Sequence, residues 1–171
     1  MPARDFDSIY AGYSRLIYWA AYGVMKSPQD AMDVSQNVFL KVFRHLKTLE
    51  GMTDAQLKGW LYRVTVNLCV DDKRKRKREV LVEEDVVSAE TDESVLPEIS
   101  ALNEETRRLL QSAIDSLPDI YREAVTLHYY AGLTLAEIAE LSGATEGTIK
   151  SRISRARAKL CEMLKEGECI G

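Results

Sequence analysis

The chain has 171 residues, 46 % apolar and 29 % charged, a globular mixture that excludes a wholly disordered chain and is short for most multi-domain enzymes. No apolar run approaches the ~20 residues that span a bilayer and no signal peptide is legible, while Cys69, Cys161 and Cys169 have neither the even count of a disulfide scaffold nor a metal-binding spacing. A cytoplasmic protein without metal or cofactor is the expectation. The net charge of −4 hides a segregation: residues 1–78 carry 14 Lys/Arg against 8 Asp/Glu, residues 79–106 carry none against 10, and residues 107–171 carry 9 against 9. A basic half, an acidic strip and a balanced half imply two domains and a linker.

Phe6, Ile9, Tyr10, Tyr13, Leu16, Ile17, Ala20 and Val24 recur at three- and four-residue steps, which predicts a helix with one buried face. Ser27-Pro28 with Asp30 then reads as an N-cap, a first-turn proline and a dipole-favoured acid opening a second helix. Its stripe of Ala31, Val34, Val38 and Val42 is widened by Met32, Phe39, Phe43 and Leu46 to nearly half the circumference. Such an arc fits either a central helix buried on two sides or a face that docks a partner. After a loop over about 48–56, Leu57, Leu61, Val64 and Leu68 align on a third helix that runs into the six consecutive cations at 73–78. Arg63, Asn67 and Arg74 share its opposite side, a stripe of donors suited to phosphate or a base edge. The basic run fits a polyanion, with a solvated helix end or a nuclear localisation signal as the alternatives.

Residues 79–103 lack helical periodicity and read as a flexible acidic linker. Leu109, Leu110, Ala113, Ile114 and Leu117 mark a fourth helix ending near Pro118, and Tyr121, Ala124, Val125 and His128 a fifth that Gly132 stops. Thr134 and Glu137 have the spacing of a capping box, which starts a short helix ended by Ser142-Gly143. A last helix opens near Thr145, and two helices across a tight glycine turn form a helix-turn-helix. Ile149, Ile153, Ala156 and Leu160 fall on one side of the last helix. The far side therefore presents Gly147, Thr148, Ser151, Ser154 and Arg155, edged by Lys150, Arg152, Arg157 and Lys159. Small residues let a helix sink into a groove, edge cations meet phosphates, and Lys150, Ser151 and Arg155 reach bases.

These segments resemble a known family. Trp60-Leu61-Tyr62-Arg63 with Asn67 and Asp71, and the run from Asp30 through Asp33, Gln36 and Asn37 to Phe39, are similar to region two of the extracytoplasmic-function sigma factors. Leu117-Pro118, Gly132-Leu133-Thr134-Leu135-Ala136-Glu137 and Gly147-Thr148-Ile149-Lys150-Ser151-Arg152 resemble region four. The resemblance implies an all-α chain of two small helical domains, a region-two bundle over 1–78 and a region-four helix-turn-helix over 104–171, joined by the acidic linker over 79–103. It implies a non-enzymatic subunit that binds core RNA polymerase, directs it to promoters and helps open the DNA, commonly held inactive by an anti-sigma factor. Asp33, Gln36, Asn37, Phe39 and Phe43 would contact core polymerase, Asn37 standing where relatives carry an acid. Trp60, Arg63, Asn67, Asp71, Lys73 and Arg74 would face the single-stranded minus-ten element. The loop over 48–56 would line a pocket for a flipped base, although it lacks an aromatic residue often present there. Gly147, Thr148, Lys150, Ser151, Arg152, Ser154 and Arg155 would read the minus-thirty-five duplex, with His128 on phosphate where relatives carry arginine. The linker's carboxylates would mimic RNA near the polymerase exit path. Two rivals remain beside this reading: a dimeric helix-turn-helix regulator, which leaves residues 60–78 without a use, and a helical interaction module, which leaves the 147–155 face unexplained.

Overall fold

The computed structural model describes residues 4–79 and 104–166, and helices account for the regular structure among them. The acidic linker, apart from Glu79, lies outside the described residues. Helix α1 (Phe6–Met25) starts where the Asp5 carboxylate accepts the Ser8 N–H at 2.8 Å and ends on Lys26, left-handed at φ 57°. Its first turns bury Ile9 and half-bury Phe6 and Tyr13, as the spacing predicts, but Tyr10, expected on the same face, is exposed because no helix among the described residues covers that side. From Leu16 onward, however, nearly every residue of the run through Met25 is buried. Ten consecutive residues without a charge read as a helix surrounded on all sides, and α1 is in fact the axis of the molecule, packing against helices of both halves.

Helix α2 (Pro28–Arg44) is capped by Ser27, whose Oγ accepts the Asp30 N–H at 3.3 Å. Ala31, Val34, Val38 and Val42 are buried against α1. The segment expected as a loop contains a short helix α3 (Leu46–Glu50), held by the wholly buried Leu49. A reciprocal Thr53–Gln56 cap at 3.0 and 3.2 Å then launches α4. Thr-x-x-Gln is a capping box, legible at 53–56 yet absorbed into the expected loop. Helix α4 (Asp54–Glu79) runs one residue past the expected boundary at 78. Its buried stripe is Leu57, Leu61, Thr65 and Cys69 rather than one ending in Val64 and Leu68, which are half-buried. Thr65 escapes an apolar pattern because its hydroxyl donates to the Leu61 carbonyl at 2.7 Å, satisfying itself inside the helix.

Burial pushes the Cys69 thiol up to about 12, with the Asp72 carboxylate adding to the shift. A protonated buried thiol is inert, so at about pH 8 a maleimide should label the exposed Cys161 and spare Cys69 until the protein is denatured. Peptide mass spectrometry reads the difference; rapid native labelling of Cys69 would mean that α1 and α4 part readily.

In the second half, α5 (Glu104–Asp115) leads through Leu117 and Pro118 into α6 (Asp119–Val125). The expected fifth helix does not continue as an α-helix. It widens into a π turn over Thr126–Tyr130, closed by the Ala131 N–H on the Thr126 carbonyl at 2.9 Å. The extra residue per turn accompanies a change of side: Leu127 and Tyr130 are both buried, against separate apolar clusters. Gly132 (φ 78°) and Gly143 (φ 69°) supply the left-handed corners that a side chain would strain. Between them α7 (Leu135–Ser142) carries the predicted capping box, with both Thr134–Glu137 bonds at 3.1 Å. Helix α8 (Glu146–Glu166) follows after Thr145 accepts the Thr148 N–H at 3.1 Å.

The two halves share their interior. Leu16 and Ala20 of α1 sit in one cluster with Ala124, Leu127, Leu133, Ile138, Ile149 and Ile153. Trp19 stacks on Tyr130 at 4.5 Å between ring centroids. Gly23 lets the helices approach, since a Cβ there would lie 3.0 Å from Thr126 Oγ1. Arg122, 1 % exposed, donates from Nε to the Gly23 carbonyl at 2.7 Å and from Nη1 to the Leu117 carbonyl at 2.8 Å.

Candidate nucleic-acid interface

Three surfaces carry the residues singled out from the sequence. On α8 the apolar pattern fixes orientation: Ile149, Ile153 and Ala156 are buried, so Gly147, Thr148, Lys150, Ser151, Ser154 and Arg155 are exposed and Arg152 half-exposed. The stripe is small at its centre and basic at its rim, as the spacing predicts. His128 lies apart on the π turn, half-buried, with Nδ1 2.8 Å from the Leu133 carbonyl oxygen and its ring edge-on to Tyr129. That bond orients the ring and occupies one of its two nitrogens.

On α4, Arg63, Asn67, Asp71, Lys73 and Arg74 are all exposed. Trp60 is half-buried and edge-on to His45, 5.9 Å between centroids. The basic run is not wholly available for a polyanion: Arg76 grips Asp30 with two bonds of 2.6 Å and Asp72 at 3.0 Å, tying the end of α4 to the start of α2. The electrostatic partner of this cation is therefore partly internal, which a residue count cannot show. At the other end of the stripe Arg63 opens into a cleft of about 510 Å³ between α4 and α7, also lined by Gln56, Lys58, Tyr62, Glu137 and Glu140. Here the Lys58 ammonium pairs with the Glu137 carboxylate, and the Tyr62 hydroxyl donates to Glu123. The Lys58 contact and the Thr134 N–H hold Glu137 below the usual carboxylate range. Burial first, then the Glu123 charge, pushes the Tyr62 hydroxyl far above its ordinary value. Neither Lys58 nor Tyr62 is in the stripe read from the sequence; their positions four residues apart on α4 were the available signal.

On α2, Asp33, Gln36 and Asn37 are exposed along a second cleft of about 550 Å³. The wide apolar arc divides in two. Phe39 is only 8 % exposed, its ring 4.7 Å from Tyr10 and 6.0 Å from Phe6, so it supports the surface from beneath. Phe43 is 68 % exposed; Leu40, which the helical pattern left out, and Tyr10, which it placed on the buried face of α1, are 56 % and 52 % exposed. Three large apolar side chains are thus left in water on this side of the bundle.

This geometry can now be set beside known proteins. Residues 9–79 match the family described as Sigma-70 region 2, and residues 107–160 match Sigma-70, region 4. The ECF RNA polymerase sigma factor SigW of Bacillus subtilis is 30 % identical over 169 residues, covering 94 % of this chain and 89 % of that one. SigE of Mycolicibacterium smegmatis, another ECF RNA polymerase sigma factor, is 36 % identical over 168 residues, covering 96 % of this chain and 62 % of its own. Among solved structures, the sigma factor RpoE in complex with the anti-sigma factor NepR from Bartonella quintana is similar with a TM-score of 0.69 at 27 % identity, over 94 % of this chain and 97 % of that one. No helix among the described residues is long and apolar enough to cross a membrane. With both regions matched in order along the chain, and with a relative 30 % identical over nearly its whole length, the chain belongs to the extracytoplasmic-function RNA polymerase sigma factors.

Proposed function

We propose that this sigma factor divides its work between residues 1–78, which bind core polymerase and the minus-ten strand, and residues 104–171, which read the minus-thirty-five duplex, with 79–103 as the link. The observation that carries this reading is the orientation of α8, whose small and basic face is exposed while its apolar face is buried. In a major groove Lys150, Ser151 and Arg155 would reach base edges, and Arg152 and the remaining cations the phosphates. Gly147, Thr148 and Ser154 keep the approach close, and His128, apart on the π turn, would contact a phosphate. Arg63, Asn67, Lys73 and Arg74 would track the separated strand, with Asp71 and Trp60 framing a displaced base. Asp33, Gln36, Asn37 and the Phe43–Leu40 patch on its Phe39 support would dock on core polymerase. The site of action is then the cytoplasm, and a protein partner that silences the factor has a counterpart in the anti-sigma complex of the similar RpoE.

Run-off transcription of a genomic fragment library with purified core polymerase tests this reading. Added protein should create start sites sharing two spaced upstream elements. Failure to bind core polymerase, with dimeric binding to a palindrome, would instead establish a conventional helix-turn-helix regulator.

A further inference from the structure

Arg4 stands one residue ahead of the Asp5 cap that starts α1, and its side chain is only 24 % exposed, since it crosses to the corner between α3 and α4. There Nη1 donates to the Met52 carbonyl, forty-eight residues on, at 2.5 Å, and Nη2 pairs with the Asp54 carboxylate. That carbonyl belongs to neither helix. The Gly51 N–H on the Thr48 carbonyl and the Met52 N–H on the Leu49 carbonyl, at 3.3 and 3.1 Å, close the last turn of α3, and the Leu57 N–H on the Thr53 carbonyl at 2.9 Å opens α4. Met52 lies between them, and Arg4 supplies the donor for its oxygen.

This corner borders the stripe on α4. Asp54 and Gln56 line the same cleft as Gly59 and Arg63, and the Thr53 N–H holds the Gln56 amide by its oxygen, which leaves the amide nitrogen to donate. Residues 48–56 carry no aromatic side chain, so a base meeting this corner is chosen there by hydrogen bonds and not by a stacking ring. Selection of that kind needs its donors and acceptors held in place. We propose that Arg4 is a positioning residue for base selection: by clasping the Met52 carbonyl from the start of α1, it fixes the 52–56 corner beside the strand-binding face and sharpens the choice of base there. The inference rests on the reading of α4 as the minus-ten face, and adds to that face a residue from outside α3 and α4.

The other contacts of the corner show what the arginine adds. Leu49 is wholly buried and Met52 packs on the core, so the corner is held from beneath, and the reciprocal Thr53–Gln56 cap holds it from α4. Arg4 ties it to α1, the helix on which both halves pack. A clasp on a backbone carbonyl fixes the course of the chain whatever side chains the corner displays, and a charge-assisted bond is the strong form of such a clasp. The second contact serves the same face. Asp54 is 83 % exposed, and an unpaired carboxylate beside the stripe would repel a passing phosphate. An ion pair in that much water is weak, so the carbonyl is the main point of action.

The test is transcription by core polymerase and the full chain on two promoter pools built on the strongest start site of the genomic library. One pool has the minus-ten element randomised and the other the minus-thirty-five element, and sequencing the transcripts gives the base preference at each position. Arg4→Ala should lower the preference at one or two adjacent minus-ten positions by about tenfold, the worth of one hydrogen bond to a charged group, and leave the minus-thirty-five profile unaltered. Preference is a ratio within one reaction, so a smaller folded fraction cancels. Asp54→Asn keeps the carbonyl clasp and removes the exposed ion pair, and should change the same positions by less than about twofold. A minus-ten profile of Arg4→Ala identical to that of the wild type would overturn the proposal, and so would an equal flattening at both elements, the mark of a general loss of structure. An Asp54→Asn effect as large as that of Arg4→Ala would overturn the carbonyl as the point of action. If the wild-type chain selects no minus-ten sequence, the reading of α4 fails; if it does and Arg4→Ala selects the same one as sharply, only the role of Arg4 fails.

Discussion

Replacing Lys150 and Arg155 by alanine is expected to lower transcription from a cognate promoter by about a hundredfold or more, since each good base-edge contact is worth ~1–3 kcal/mol of discrimination. Both side chains are exposed on α8, on the side opposite Ile149, Ile153 and Ala156. Their removal opens no cavity and orphans no buried group, so the melting temperature and the affinity for core polymerase should be unchanged. A base-reading role predicts a loss concentrated on the cognate sequence, whereas a phosphate role predicts equal weakening on all sequences and a shallower salt dependence by about one unit of slope per contact. Arg152→Ala provides the comparison, because its place at the rim suits phosphate. Start-site mapping and duplex titrations at two salt concentrations measure both quantities. A double variant that transcribes the cognate promoter at wild-type levels would remove α8 as the reading helix.

Elements whose cause lies within a few residues were legible in the sequence. The Thr134–Glu137 capping box, the Gly143 corner and the Ser27-Pro28 start each depend on atoms no more than four residues apart, and each stands where the spacing placed it. The exposed faces of α4 and α8 followed from the same periodicity. What escaped depends on partners far along the chain. Leu16 through Met25 is enclosed because helices more than ninety residues away pack on it, as the Tyr22 hydroxyl bond to Asp115 at 2.7 Å illustrates. Phe39 belongs to the apolar arc but is roofed by Phe6 and Tyr10, a distinction that a helical wheel of α2 alone cannot draw. Arg76 reads as one more cation in a run until Asp30, forty-six residues earlier, is found in its grip. The pairing of Lys58 with Glu137 and of Tyr62 with Glu123 is of the same kind: four ordinary charged or polar residues whose partners are found only when the halves meet.

Arg122 should be the most costly polar residue to lose. It is 1 % exposed, and its guanidinium spreads over three acceptors: the Gly23 carbonyl of α1, the Leu117 carbonyl before α6, and the Asp119 carboxylate. Arg122→Met keeps much of the volume but leaves two carbonyls without this donor, so a destabilisation of about 3 kcal/mol is expected, lowering the melting temperature by about 10 °C for a chain of this length. Arg122→Lys should rescue little, because an ammonium cannot reproduce the planar fork that meets acceptors in different directions. Asp119→Asn should be far milder, since the Asp119 side chain is 88 % exposed. The pH dependence separates these contributions. Arg122 holds Asp119 below the usual carboxylate range, so this pair contributes stability above the ordinary carboxylate pKa and loses it as pH falls through the depressed value. That acid-side loss should vanish in Arg122→Met, whereas the cost of the two carbonyls should persist at neutral pH. Because the Gly23 bond crosses between the halves, the variant should also melt over a broader range, the two halves no longer unfolding as one cooperative unit. Calorimetry that finds a single sharp transition, close to that of the parent, would show that the apolar junction around Leu16, Ala20 and Trp19 couples the halves without the arginine.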